Sequence, residues 1–253
     1  MGQSQASEAK AFSLYPPADL SRYIAPEHWA IYSEVMSHAD ADEIPFAVGG
    51  GLAVCLYTGL WRATKDIDLY VLPEDREALI AATQTAGLVD YYDQVPYDRK
   101  WIYRAAGSGV IVDVIWALAN GFGEVDAGWL RRGPCAQVQQ RSFTLLAPAE
   151  MIRTKLHVLQ RDRCDWPDLL NLLYTTGPAL DWDRVIGSFP GEERLLAALV
   201  MVFSWLAPGR AAQLPDRVWS RLRLEPPPPM PVLDELRVQR LDTRPWFTDV
   251  RPQ

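Results

Sequence analysis

Three consecutive glycines, Gly49-Gly50-Gly51, stand between a short apolar run, Pro45 to Val48, and a segment from Leu52 to Leu60 that is apolar on every side. A short run that stops at glycines predicts a strand and a turn. A segment apolar all round predicts a buried helix after it. Strand, tight turn and buried helix need a second layer to cover them, which places the chain among α/β folds. Asp66 to Leu72 reads as a second strand: Ile67, Leu69 and Val71 face one way, Asp66, Asp68 and Tyr70 the other.

More elements follow. Pro26 to His38 predicts a helix with proline in its first turn, and Pro73 opens another through about Ala86. Two or three strands are expected between Leu88 and Leu118, the clearest being Val110 to Trp116. Arg141 to Leu146 is a further candidate. Near residue 147 the pattern becomes helical: Pro148 to about Arg163, Asp165 to about Tyr174, Glu192 to Ala207 and Pro215 to Leu224. Glu225 to Pro231, EPPPPMP, predicts a stiff polyproline II connector. The expected organisation is a lead-in over 1–25, an α/β catalytic domain over 26–147, a helical domain over 148–224, and a proline-rich connector and arm over 225–253.

Composition narrows the function. Lys+Arg is 25 against Asp+Glu 32, a net charge of -7, which gives no strong nucleic-acid signal. Lys10, Lys65, Lys100 and Lys155 are the only lysines, and an arginine-heavy balance fits a GC-rich bacterial genome. Cys55, Cys135 and Cys164 form no CxxC, and His28, His38 and His157 form no HExxH, so disulfide and zinc frameworks are not expected. The run from Leu195 to Ala207 is shorter than the ~20 residues a bilayer requires and reads as a buried helix. The polar N-terminus lacks a signal-peptide core. A soluble cytoplasmic protein is expected.

Three features carry the chemistry. Gly50 and Gly51 open a helix, where free N–H groups and the dipole favour phosphate; the bland reading is a packing turn. Asp66 and Asp68 share one strand face about 7 Å apart. Their mutual repulsion is relieved by a cation, unless the face is simply solvated. Asp113 is a lone carboxylate in an apolar strand and needs a partner. That partner is either a metal shared with Asp66 and Asp68 or an arginine such as Arg104.

Val48-Gly49-Gly50-Gly51-Leu52-Ala53, then Arg62-Ala63-Thr64-Lys65-Asp66-Ile67-Asp68-Leu69, then Val112-Asp113-Val114 resembles the DNA polymerase beta-like nucleotidyltransferase superfamily. The likeness is to its minimal bacterial branch of aminoglycoside, lincosamide and abortive-infection toxin nucleotidyltransferases. It covers roughly residues 45–175, more weakly in the helices that carry Lys155, Asp165 and Asp168. The resemblance implies a mixed sheet flanked by helices and a helical domain after it. It implies Mg²⁺ or Mn²⁺, two ions on Asp66, Asp68 and Asp113, and an NTP such as ATP. Gly50 and Gly51 would contact the phosphates, and Asp113 would help deprotonate an acceptor hydroxyl. Many members have serine where Gly51 stands, and Thr64 would be the residue to supply that hydroxyl instead.

Lys65 and Lys155 are the remaining phosphate candidates. Lys155 lies at the edge of an apolar helix face, where it either reaches a triphosphate or pairs with Asp162. Arg62 and Lys65 are otherwise exposed charges. Asp165 and Asp168 read as a cap and a first-turn acid of the next helix. Trp61, Trp101 and Trp116 read as core before base-stacking residues. A dinucleotide-binding oxidoreductase would need glycine at position 54, which is Val54. The standing alternative to nucleotidyl transfer is a non-catalytic module that keeps the fold.

Overall fold

The computed structural model describes residues 12–119, 121–160, 163–228, 237–238 and 240. Helix α1, Pro26–Ala41, carries proline in its first turn, as expected, and runs three residues beyond His38. Strand β1, Phe46–Val48, leads through Gly49 into α2, Gly50–Thr58, buried from Leu52 to Thr58. Gly59 closes α2 in the left-handed region at φ 72°. Strand β2 is Asp66–Val71, and α3 is Arg76–Thr85, starting after a turn at Pro73.

The segment between Leu88 and Leu118 yields three strands: β3, Val89–Asp90; β4, Ile102–Gly107; and β5, Val110–Ile115. Ser108 and Gly109, at φ 50° and 81°, form the tight turn between β4 and β5. The sheet order is β1-β2-β5-β4-β3, parallel only between β2 and β5. It is the expected mixed sheet. A short helix α4, Trp129–Arg132, and a hairpin of β6, Cys135–Val138, with β7, Arg141–Thr144, complete this half. Sequence periodicity anticipates β7 but neither α4 nor β6.

The helices that follow are α5, Pro148–His157; α6, Trp166–Thr176; α7, Trp182–Gly187; α8, Glu193–Leu206; α9, Pro208–Ala211; and α10, Asp216–Leu222. Helix α5 stops at His157 and not near Arg163, and α7 and α9 have no counterpart in the sequence reading. Helix α8 is amphipathic: Leu199, Val200 and Phe203 are buried, whereas Met201 and Trp205 are exposed, so the expected buried helix is buried on one side. Of the expected 225–253 segment, residues 229–236, 239 and 241–253 lie outside the described residues, as do residues 1–11 of the lead-in.

Helix α2 packs on β2 and α6, and α5 packs on α6 and α7. One continuous buried cluster runs from Leu20 to Leu222, so the helices after residue 147 share the core of the sheet. This sharing sets α5 and α6 beside the acidic face of β2 and β5. Among the described residues no helix is long and apolar enough to cross a membrane.

Candidate functional site

Register decides which carboxylates meet. Because β2 and β5 are parallel neighbours, Asp68 lies directly opposite Asp113, and Asp66 opposite Ile111. Period 2 keeps Asp66 and Asp68 on the same face. All three line a pocket of about 230 Å³, together with Gly50, Gly51 and Lys155. Six of the eight residues singled out in the sequence thus converge. Thr64 and Lys65 do not line it: Lys65 is exposed, and its carbonyl accepts from Ile111 N.

The glycine turn brings backbone onto a carboxylate. Gly50 has φ 58°, and a Cβ built there would stand 1.5 Å from Asp68 Oδ2. Gly49 N donates to Asp68 O at 2.9 Å, and a Cβ on Gly49 would meet the Tyr70 ring at 2.3 Å. Glycine at 49 and 50 therefore lets the α2 N-terminus sit against β2. Gly51 is different. Its Cβ would meet Arg62 Nη2 at 3.6 Å and Thr64 Oγ1 at 3.7 Å, ordinary contacts that leave room for a serine.

The charges around the pocket pair off in a definite way. Arg104 of β4 faces Asp113 in register, and its Nε and Nη2 donate to Oδ1 and Oδ2 at 2.8 and 2.6 Å. Of the two partners weighed for Asp113, the arginine is the one in contact. Asp113 is 2% exposed; burial pushes its carboxyl up and Arg104 pulls it back, and the two-pronged contact is that of an ionised pair. The same hydrogen bonds hold the Arg104 guanidinium above its ordinary value.

Lys155, 9% exposed, donates to Asp168 Oδ2 at 2.8 Å and Asp165 Oδ2 at 3.1 Å. Burial alone would lower its pKa, but Asp168 and Asp165 outweigh that and raise it. Asp162, the partner expected from sequence, lies outside the described residues. Arg62 Nη2 donates to Asp168 Oδ2 at 3.0 Å, and Arg163 stands 3.7 Å from Asp165 Oδ1. Asp165 occupies the N-cap of α6 but makes no side-chain cap bond; its carboxylate turns to Lys155 instead. Both acids of this DxxD segment belong to the pocket wall.

After this pairing, Asp66 and Asp68 are the two pocket carboxylates without a salt bridge among the described residues. Asp66 accepts from the Thr64 hydroxyl, which also bonds the Asp66 carbonyl at 3.0 Å. That hydroxyl is engaged in orienting Asp66. Burial, and then the charges of Asp113 and Asp66, push the Asp68 carboxyl up to about 8. The site is short of positive charge at its centre. Hard carboxylate oxygens in that condition fit a divalent cation at Asp66 and Asp68. Among the described residues no group of three acids, cysteines or histidines is arranged to hold an ion, and both Asp113 oxygens accept from Arg104.

Trp101 is partly buried and lines the pocket, whereas Trp61 and Trp116 are core, 7% and 6% exposed. Sequence reasoning assigned no pocket role to Arg163 or Tyr70, and left Arg62 as exposed charge; each lines the pocket. Tyr70 alternates in phase with Asp66 and Asp68, and that signal was available.

The chain is similar to nucleotidyltransferases of solved structure. The antibiotic-resistance factor ANT(2'')-Ia is 18% identical, with 68% of this chain and 95% of that chain covered and a TM-score of 0.46. The lincomycin-bound lincosamide antibiotic adenylyltransferase LnuA is 13% identical, with 59% and 97% covered and a TM-score of 0.42. An antigenic nucleotidyltransferase-like protein from Paracoccidioides brasiliensis is 16% identical, with 72% and 94% covered and a TM-score of 0.37. No family model and no curated protein sequence matches the chain.

Proposed function

We propose that the chain is a metal-dependent nucleotidyltransferase that moves an NMP from an NTP, such as ATP, to an acceptor hydroxyl. The observation that carries this reading is the pair Asp66 and Asp68, without salt bridges among the described residues, facing the α2 N-terminus across one pocket. The acceptor oxygen would attack the α-phosphorus, the bond to the bridging oxygen would break with pyrophosphate leaving, and the hydroxyl proton would pass to a carboxylate base, Asp113 by the family resemblance. Mg²⁺ or Mn²⁺ ions, two by the family resemblance, would supply charge neutralisation at the phosphates and at the attacking oxygen.

The residues have separate tasks. Asp66 and Asp68 would hold the cation, and the Thr64 hydroxyl, which donates to Asp66, would fix that carboxylate for it. Gly50 and Gly51 offer backbone N–H groups to the phosphates. Asp113, once released by Arg104, would complete the metal set and would help take the acceptor proton, as the family resemblance implies. Lys155 is a buried cation of the pocket wall, and Lys65 is an exposed charge outside it. Trp101, which lines the pocket, would be the ring available to stack on a base. The acceptor is a small-molecule, protein or RNA hydroxyl; the acidic chain disfavours RNA.

A second reading, a nucleotide-binding module without transfer, is favoured by one observation: Asp113 is already neutralised by Arg104. Incubation with each α-labelled NTP, Mg²⁺ or Mn²⁺ and candidate acceptors separates the two. Label in a product, with pyrophosphate released, supports transfer. Nucleotide binding with intact NTP in every mixture supports the second reading.

A further inference from the structure

Arg104 and Asp113 are unequal partners. Asp113 is 2% exposed and fixed in the middle of β5, between β2 and β4. The Arg104 side chain keeps 30% exposure and lines the pocket beside Asp68 and Gly50. Asp113 cannot leave this position without breaking the sheet, but a guanidinium on a long stem can. While Arg104 is in place both Asp113 oxygens accept from it, and the pair carries no net charge to offer a cation.

A guanidinium fits phosphate by the same two-pronged geometry as carboxylate, and a triphosphate carries more charge. Moving from Asp113 to phosphate keeps Arg104 paired throughout. It also leaves Asp113 buried and in need of a new cation, since an uncompensated buried charge is strongly unfavourable.

We infer that Arg104 is a nucleotide-sensitive counter-ion. Without nucleotide it occupies Asp113, so the chain presents only Asp66 and Asp68 to a divalent cation. When a triphosphate is seated, Arg104 transfers to it, and the chain presents all three carboxylates. The third ligand is thereby withheld until the substrate is bound. This inference rests on the nucleotidyltransferase reading.

The test is Mn²⁺ binding to the full chain, followed by the electron paramagnetic resonance of free Mn²⁺, with and without an α,β-methylene NTP analogue. Counts are corrected for Mn²⁺ held by the analogue alone. Wild type is expected to take up further Mn²⁺ only when the analogue is present. Arg104→Gln is expected to take up that further Mn²⁺ without analogue, and to bind the analogue about tenfold more weakly, the order of losing one charge-assisted pair. Wild-type Mn²⁺ binding in the analogue-free variant, or an unchanged analogue affinity, overturns the inference. If Arg104→Gln does not fold, Arg104→Lys shows the same two changes at smaller size, because lysine cannot hold both oxygens at once; wild-type values for either overturn it equally. A wild type that binds neither analogue nor Mn²⁺ would instead overturn the nucleotidyltransferase reading itself.

Discussion

Gly50 and Gly51 are adjacent and chemically identical, yet their surroundings ask opposite things of them. A side chain at 50 would strike the Asp68 carboxylate and would require a strained φ of 58°. One at 51 would meet only ordinary contacts. Gly50→Ala is therefore expected to abolish nucleotide binding and lower stability by about 1–3 kcal/mol. Gly51→Ser should stay within about 1 kcal/mol of wild type and keep its nucleotide affinity. Denaturant melts and analogue titrations check both, and equal behaviour of the two variants would contradict the geometry. The glycine turn is legible in the sequence. Which glycine is obligatory is not, because the answer lies in a contact across the sheet.

Asp68 gives a pH prediction. Its carboxyl is raised from 3.8 to about 8 in the folded chain. A raised acid favours the folded state below its unfolded value, and that contribution is lost as pH rises through the folded one. In chelator, wild type should lose stability between about pH 4 and 8 relative to Asp68→Asn, whose curve should be flatter. Urea denaturation at a series of pH values tests this, and parallel curves would remove the charge crowding from the account.

At the scale of elements, the informative fact is how strands and helices are paired. Alternation along β2 and the apolar run of β5 were readable, and so were most helices. That Asp68 stands opposite Asp113, and Arg104 opposite Asp113, depends on register between strands 40 or more residues apart for the first pair and on a hairpin turn for the second. Sequence spacing allowed Arg104 as a partner but could not select it. The short helices α4 and α7 escaped notice because elements of 4 and 6 residues carry too little periodicity.

Lys155 on α5 ties together Asp165 and Asp168 at the start of α6, and Arg62 links Asp168 to the segment before β2. Lys155→Met removes the central cation of this tie. With the two acids about a fifth exposed, the expected loss is about 2–3 kcal/mol, below that of a fully buried pair. Chemical denaturation measures it. Wild-type stability with lost nucleotide affinity would make Lys155 a phosphate ligand and not a clamp. Asp113→Asn is likewise expected to lower stability in chelator, by about 1–3 kcal/mol, because it weakens the hold on Arg104. Stability alone thus cannot assign Asp113 to metal or to structure; Mn²⁺ affinity must be read beside it.

For the molecule as a whole, one core carries the sheet and the helices, and one pocket gathers residues from both. The chain is acidic at -7, and the pocket centre is acidic too, so a triphosphate would be repelled unless a cation comes with it. Binding of nucleotide and divalent ion should be mutually dependent. Thermal unfolding of wild type and Asp68→Asn with Mg²⁺, with each NTP, and with both together tests this most directly. A clear rise in wild-type melting temperature is expected with Mg²⁺ and NTP together, a smaller one with Mg²⁺ alone, none with NAD, and no combined rise in Asp68→Asn. A wild type unmoved by every NTP in the presence of Mg²⁺, or an Asp68→Asn variant that rises as far as wild type, would contradict that expectation.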